Sequence, residues 1–346
     1  MASNLALVSG SPFIGNPIVY QVTGNNLAGS PVFHRIRLKV TCALTTDTDW
    51  MDIIMSSPVG NGETIRIDIS SALRTVADKY VYTPNPPEEY PHIKYYLSAW
   101  DEYLLNGQEY SGEATPTTNG SEQNPSCALM GAYSDLERLL SNGSKLAYKF
   151  TRKPDTVEIV QVGEEYVSPL SIEPATIAEI TNGQTSATYE IAYDGMQKIN
   201  GHRLYALDKD QTDRYQLRFV NGLGCLESIN VQSLMKQEVQ IETEQFTSAK
   251  QEMFNEISRG FAVKRNDFNK YKMSSGAVDR AWQEWFLHEF LMAEQVWIKI
   301  SGNWIPCHVL PDETVQGVDM ISKAPLDVQF TLQLDICGSP LSALAI

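Results

Sequence analysis

A histidine and a glutamate stand side by side at His288-Glu289, in a segment whose apolar residues recur at helical spacing. In a zinc hydrolase, a second histidine follows four residues after the first, so that both ligate one metal ion from the same helix face. In this chain that position is Met292. The pattern therefore predicts no zinc site, and we expect His288 at the edge of an aromatic helix face.

The segment Asn221-Gly222-Leu223-Gly224-Cys225 is rich in glycine, as phosphate-binding loops are. It lacks the third glycine of a dinucleotide fingerprint and the Lys-Ser/Thr pair of a phosphate loop, and strand-like sequence flanks it on both sides. A hairpin turn is the better interpretation. Cys225 and His202 have the residue types of a thiolate and its base, but no third residue suggests itself to orient them, so we expect no nucleophilic catalysis.

Two adjacent pairs of carboxylates, Glu88-Glu89 and Glu164-Glu165, have the residue type that glycosidases use. Such enzymes need two acids that face each other across a cleft. Neighbouring residues on a strand point to opposite faces, so we expect each pair to be solvated surface. The acidic residues Asp312, Glu313 and Asp319 lack the alternating oxygen ligands and the glycine of a calcium loop. The sequence therefore predicts no catalytic residue, no cofactor and no metal site.

Four tryptophans lie close together in the last quarter of the chain: Trp282, Trp285, Trp297 and Trp304. Aromatic rings can form a platform that binds a sugar or a peptide. A core shared between a helix and a sheet explains the cluster more simply. If this region does carry an interaction surface, Trp285, Trp297 and Trp304 are the residues that we assign to it.

Composition and charge argue against several classes of function. The 346 residues carry a formal net charge of −15, so the surface repels a phosphate backbone and nucleic acid is a poor partner. No run of about 18 apolar residues is present to span a bilayer, so membrane insertion is not expected. The amino terminus lacks the basic and apolar regions of a signal peptide. Five cysteines without a Cys-x-x-Cys pair favour reduced thiols.

Strict alternation of apolar and polar residues is the strongest structural signal, and it predicts half-buried strands. The clearest examples lie at 36–40, 63–69, 214–219 and 326–335. Asn-Gly or Asp-Gly turns, at Asn61, Asn182, Asp194, Asn200 and Asn221, separate such segments. We therefore expect a mainly β fold, from all-β to α+β, with two or three domains of antiparallel sandwich type.

Helical patterns are few and short. One helix is predicted from Ser70 or Ser71 through Val76, a capping box opens another at Ser134, and the longest candidate spans 276–293. We expect the longest helix to be amphipathic and to pack on a sheet of the last domain.

Composition gives approximate domain boundaries. We expect a β-sandwich domain over residues 1–150, a β-rich middle domain over 151–235 and an α+β domain over 236–346. Within the first domain, residues 106–125 are nearly free of aliphatics and rich in Gly, Ser, Thr, Asn and Pro, which predicts a long polar loop. The polar stretch at 232–247 predicts an extended arm or a solvated strand.

Three stretches resemble β-rich tail and neck structural proteins of phages and prophages of Bacteroidetes hosts. Residues 13–22 (FIGNPIVYQV) are similar to the opening strand of that group. Residues 215–228 (YQLRFVNGLGCLES) are similar to its aromatic-Leu-Arg-Phe/Trp-Leu-Asn-x-Leu-Gly-Gly-x-Glu/Asp segment, although Cys225 stands where glycine is usual. The third stretch is the closing region: a Ser-Gly helix with Trp285, the segments 296–300 (VWIKI) and 304–309 (WIPCHV), and a final alternating strand follow in the family's order. The long 106–125 segment is a further departure from the pattern.

The resemblance implies a non-enzymatic virion structural protein of a tailed phage, as a tail or neck ring, baseplate or fibre-adaptor component. Its partners would be copies of itself in a symmetric ring and other virion tail or neck proteins. It would be assembled in the host cytoplasm and end in the virion. The alternative is a host-surface recognition module that binds a glycan or a peptide through the Trp-rich C-terminal domain. An enzyme is the weakest class, because no acid pair or nucleophile presents itself.

Overall fold

The computed structural model describes residues 4–10, 13–29, 31–80, 83–88, 91–134, 150–169, 186–208, 212–233, 235–248, 259–310 and 326–335. Several features of the sequence analysis lie outside these ranges: Glu89, Asn182-Gly183, Asp312, Glu313, Asp319, the predicted helix beyond Ser134 and one of the five cysteines, Cys337. At 56% strand and 8% helix the fold is mainly β, with several antiparallel sheets, which confirms the predicted fold class.

The described elements run in two groups along the chain. Up to residue 134 they are β1 (Asn4–Gly10), β2 (Ile18–Thr23), β3 (Val32–Leu44), β4 (Met51–Pro58), β5 (Thr64–Asp68), α1 (Ser70–Ala77), β6 (Ile93–Leu105), β7 (Gln108–Ser111), β8 (Thr117–Asn119) and β9 (Ser126–Ala128). From residue 150 they are β10 (Val157–Gln161), β11 (Glu165–Pro169), β12 (Ser186–Glu190), β13 (Gly195–Ile199), β14 (His202–Leu207), β15 (Arg214–Val220), β16 (Leu226–Gln232), β17 (Lys236–Ser248), β18 (Arg259–Val278), α2 (Arg280–Trp285), a π-helix (Phe286–Phe290), β19 (Val296–Ile300), β20 (Asn303–Leu310) and β21 (Leu326–Leu334).

Two antiparallel sheets and α1 enclose the amino-terminal core. One sheet has the order β1-β2-β5 and the other β4-β3-β6-β7, with β8 and β9 also paired to β6. The alternation in β3 places Ile36, Leu38 and Val40 on one face, where all three are fully buried in a cluster that includes Leu73 of α1. The predicted first helix is therefore present, and it covers an apolar sheet face.

The segment 106–125 is not the long loop that its composition predicted. Asn106 and Gly107, with φ values of 51° and 80°, form a two-residue turn between β6 and β7. β8 follows and also pairs with β6. The loop prediction was wrong because short polar edge strands have no apolar face to bury, so composition does not distinguish them from loops.

The described residues between 157 and 207 form two small sheets. β10, β14 and β13 lie side by side in that order, and β11 pairs with β12. The β10–β14 pair is parallel, which the one-sided alternation did not predict. Asn200-Gly201 makes the predicted hairpin turn between β13 and β14. Asn61-Gly62 and Asp194-Gly195 instead connect strands of different sheets.

A seven-stranded antiparallel sheet has the order β16-β15-β19-β20-β21-β18-β17. β15 and β16 form the predicted hairpin, with Val220 opposite Leu226. These two strands precede residue 235 but share the sheet with strands that follow it, so the sheet continues across the predicted boundary between the middle and last domains. The polar stretch after residue 235 is strand β17, which pairs with β18.

The aromatic helix begins later than its periodicity predicted. Residues 276–278 belong to β18, and α2 starts after Asp279, whose side chain accepts a hydrogen bond of 2.8 Å from the Trp282 N–H. This cap fixes the start of the helix. The chain continues as the π-helix and packs on the large sheet, where the rings of Phe286 and Phe330 lie 5.4 Å apart. The predicted helix on a sheet is thus present, with a corrected first residue.

Candidate functional site

The register of the seven-stranded sheet sorts its side chains onto two faces. Arg218 of β15 is opposite Trp297 of β19, and Lys299 is opposite Trp304 of β20. Residues directly opposite each other, and residues two apart on one strand, share a face, so these four side chains lie on one side of the sheet. The other side carries Phe219 and its apolar neighbours, which pack against α2 and the π-helix.

On the face opposite to the helix, a cavity of about 780 Å³ lies between the large sheet, the β11–β12 pair and the loop 83–88. Its polar and aromatic lining comes from Glu88, Glu165, Ser186, Thr188, Arg218 and Trp304. The volume is within the range of about 300–1,000 Å³ that is common for small-molecule sites. We call this cavity the Trp304 pocket and regard it as the candidate binding site.

Arg218 is the central cation of the Trp304 pocket. Its guanidinium carbon lies 4.5 Å from the centroid of the Trp304 ring, and Lys299 Nζ lies 5.5 Å from the same centroid. Glu165 pairs with Arg218, and its Oε1 lies 3.8 Å from Lys299 Nζ. Burial lowers the pKa of Arg218, and the charge of Glu165 opposes this shift. The two cations hold the indole ring in place, each by a cation–π attraction of about 0.5–2 kcal/mol.

Several polar groups of the Trp304 pocket make no side-chain hydrogen bond to other described residues: the Trp304 indole N–H, the Glu88 carboxylate and the Thr188 hydroxyl. Arg218 is 7% exposed and uses Nη2 for Glu165, which leaves its other donors for the pocket. The lining therefore offers both donors and acceptors to a bound molecule.

The other two tryptophans of the predicted interaction surface lie inside the protein. The Trp285 ring packs 5.9 Å from that of Phe219 in the core beneath α2. Trp297 is 1% exposed, and its Nε1 donates to the Thr83 carbonyl at 3.1 Å. Of the three residues, Trp304 is the one that lines a pocket.

The two motifs that suggested metal or phosphate chemistry meet in space. Glu289 is buried and accepts a hydrogen bond of 2.7 Å from the Gly222 N–H, and it also pairs with Arg152. Arg152 donates to the Ala132 carbonyl at 2.8 Å as well. His288, in contrast, is exposed. This arrangement joins the hairpin turn to the aromatic helix.

The prediction that Glu164 and Glu165 are both solvated was wrong for Glu164. Its carboxylate is buried and accepts hydrogen bonds of 2.7 and 3.0 Å from Arg214 and of 3.0 Å from Asn230. Glu165 points to the other side and lines the Trp304 pocket, as strand alternation requires. No local pattern indicates these buried partners, because Arg214 and Asn230 lie 50 and 66 residues away along the chain.

A second surface lies on the small sheet β10-β14-β13. Ile159, Tyr205 and Met196 are in register across its three strands and are 49%, 44% and 58% exposed. Val157, two residues before Ile159, is exposed on the same face. We call these four side chains the apolar row. The opposite face of the sheet is buried in its own core cluster.

Comparisons with other proteins leave the function to be argued from these two surfaces. No protein-family model, curated protein or solved structure matches this chain. Within the described ranges, no helix is long and apolar enough to cross a bilayer. In the same part of the chain, no group of three His, Cys, Asp or Glu side chains is arranged to hold a metal ion.

Proposed function

We propose that this chain is a non-enzymatic structural protein of a tailed-phage virion, which assembles with copies of itself into a ring. In the virion it would serve as a tail or neck ring, a baseplate or a fibre-adaptor component, assembled in the host cytoplasm. The three stretches of sequence that resemble tail and neck proteins support this proposal. The structural observation that carries it is the apolar row.

The apolar row is unusual for a sheet face in contact with water. Outward residues of such a face are normally polar, whereas here aliphatic and aromatic side chains adjoin on three neighbouring strands. Soluble monomers rarely expose contiguous apolar patches, and such patches commonly mark interfaces. Covering half of one large apolar side chain contributes on the order of 1 kcal/mol, so the row supplies a few kcal/mol to association.

Charge favours a second copy of this chain as the occupant. Lys198 of β13 and Arg203 of β14 are exposed beside the apolar row, and Arg203 is paired with the exposed Asp155. The chain as a whole has a net charge of −15, so the side of the apolar row that carries Lys198 suits an acidic region of a neighbouring copy. A contact between two different faces of successive copies is heterologous, and it closes into a ring when the rotation between copies divides a full turn.

The test is the oligomeric state of the purified protein, measured by size-exclusion chromatography with light scattering and by negative-stain images. We expect a closed ring for the wild type and a shift to monomer for Ile159→Lys and Met196→Lys, with the melting temperature unchanged. Ile54→Lys is the matched control, because Ile54 is 52% exposed on β4 of another sheet and should leave the ring intact.

Three results would overturn the assembly proposal. The first is a wild-type protein that stays monomeric at every concentration, and the second is an unchanged ring in Ile159→Lys. The third is absence of the protein from purified phage particles. The neighbouring genes give an independent check, since portal, terminase or tail-sheath genes are expected beside a virion protein.

A further inference from the structure

Beyond assembly, we propose that the Trp304 pocket is a binding site for a neutral, hydroxyl-rich carbohydrate. The site combines an aromatic side chain, a guanidinium group, two carboxylates and a hydroxyl around one cavity. It is separate from the apolar row, whose residues do not line it.

The charge balance of the pocket selects a neutral ligand. Glu88 and Glu165 line the cavity as acids and Arg218 lines it as a base, and Glu165 is paired with Arg218. Lys299 contacts Trp304 and Glu165 from outside this lining. An anionic ligand that approached Arg218 would also meet the two carboxylates, and a cationic ligand that approached Glu165 would also meet Arg218. Like charges brought together in a partly buried site reduce affinity, so either kind of charged ligand is disfavoured.

The hydrogen-bonding groups of the pocket match sugar hydroxyls. Each sugar hydroxyl both donates and accepts, so it can donate to the Glu88 carboxylate while it accepts from Arg218 or from the Trp304 indole N–H. Arg218 is more than nine-tenths buried and makes one hydrogen bond to described residues, through Nη2 to Glu165. Its remaining donors reach the solvent of the pocket, so a sugar hydroxyl can replace water as their acceptor.

The aromatic part of the site is already fixed before a ligand arrives. Trp304 is half-buried on β20, and Arg218 and Lys299 both contact its ring. Binding groups that stand on strands and are held by their neighbours lose little side-chain entropy when a ligand binds. The part of the ring that lines the cavity offers an apolar surface to the C–H groups of a pyranose.

The experiment is a glycan array of neutral, acidic and amino saccharides probed with the full chain, followed by calorimetry on the neutral glycan that gives the highest signal. We expect Trp304→Ala and Glu88→Gln each to weaken binding of that glycan at least tenfold. Glu88 is exposed on a loop, so Glu88→Gln keeps the test decisive even if Trp304→Ala disturbs the fold.

Trp50→Ala is the matched control variant. Trp50 is also half-buried, and Lys94 Nζ lies 5.2 Å from its ring centroid, but it belongs to the amino-terminal part of the chain. We expect Trp50→Ala to bind as the wild type does. Light scattering on the same samples tests ring assembly separately from carbohydrate binding. A variant that loses glycan binding but still forms the ring has lost the pocket and not the assembly contact.

Three outcomes would overturn the carbohydrate proposal: no glycan bound on the array, preference for acidic or amino saccharides, or wild-type affinity in both Trp304→Ala and Glu88→Gln.

Discussion

The Glu227 carboxylate accepts a hydrogen bond of 2.6 Å from the Thr151 hydroxyl at a position closed to solvent. Asn221 Nδ2 donates to the other carboxylate oxygen at 3.2 Å. Burial raises the pKa of Glu227 to about 7, although Lys153, Thr151 and Asn221 all act to lower it. Desolvation therefore outweighs the local hydrogen bonds and the nearby cation.

This burial makes the stability of the protein depend on pH. An unfolded glutamate titrates near 4.5, so between pH 4.5 and about 7 the folded chain holds a proton that the unfolded chain has lost. The contribution of Glu227 is fully present below pH 4.5 and is lost as the pH rises through the folded pKa. At about 1.4 kcal/mol per pKa unit, the total loss is about 3 kcal/mol.

Glu227→Gln tests this pH dependence, because glutamine has nearly the shape of the protonated acid and does not titrate. We expect the variant to equal the wild type near pH 4 and to exceed its free energy of unfolding by about 3 kcal/mol near pH 8. Urea unfolding curves of both proteins across this range supply the measurement. If the free energies of unfolding of the two proteins changed with pH by the same amount, Glu227 would not titrate in this window.

The buried thiols should be unreactive in the folded protein. Cys42, Cys127, Cys225 and Cys307 are all buried, and burial raises the pKa of Cys42 and of Cys127 to about 11. The thiolate is the reactive form, so both its population and its access are low. We expect a maleimide to label none of these four in native buffer and all of them in denaturant, as peptide mass spectrometry can establish. Rapid native labelling of any of the four would contradict the described packing.

The close contact of two loops should make Gly131 irreplaceable. A Cβ atom on Gly131 would lie 2.1 Å from the carbonyl carbon of Leu223, and backbone atoms cannot move aside as a flexible side chain can. We expect Gly131→Ala to destabilise the fold by about 4 kcal/mol or more. Gly107→Ala is the control: φ is 80° there, but the space is open, so about 1 kcal/mol is expected. Thermal unfolding of the two variants distinguishes a steric clash from backbone strain, and equal melting temperatures would refute the clash.

Replacing Trp285 and replacing Trp304 should lower the free energy of unfolding by different amounts. Trp285 is 5% exposed in the core beneath α2, so Trp285→Ala is expected to cost about 3–5 kcal/mol. Trp304 is half-buried beside a cavity, and its replacement should cost about 1 kcal/mol. Denaturant titration measures both. Similar losses for the two variants would mean that Trp304 is a core residue rather than a pocket residue.

Much of the fold was predictable because burial on one side of a strand or helix leaves a period in the sequence. The alternation around Leu38 marked β3, the Asn221-Gly222 turn marked the β15–β16 hairpin, and the spacing of Leu73 and Val76 marked α1. The polar strands β7 and β8 were missed because they lack that period. The start of α2 was misplaced because a cap at Asp279, rather than the period, decides where the helix begins.

Only one residue of the candidate site could be predicted from the sequence. The tryptophan cluster points to Trp304, whereas the alternation around Arg218 predicts only a strand and the Glu164-Glu165 pair predicts solvated surface. These side chains meet because β15 and β20 flank β19 in the large sheet and β11 packs nearby, which no local pattern records. The apolar row was missed for the same reason, since its members come from three strands.

The sequence by itself determined the fold class, the shorter hairpins, the net charge and the residue types available for contact, because each depends on composition or on spacing within a few residues. The tertiary structure alone decided which carboxylates are buried, which tryptophan reaches a cavity and which apolar side chains stay exposed. Those properties depend on pairing and packing between strands that are distant in sequence. Such contacts produce no periodic pattern of residues along the chain.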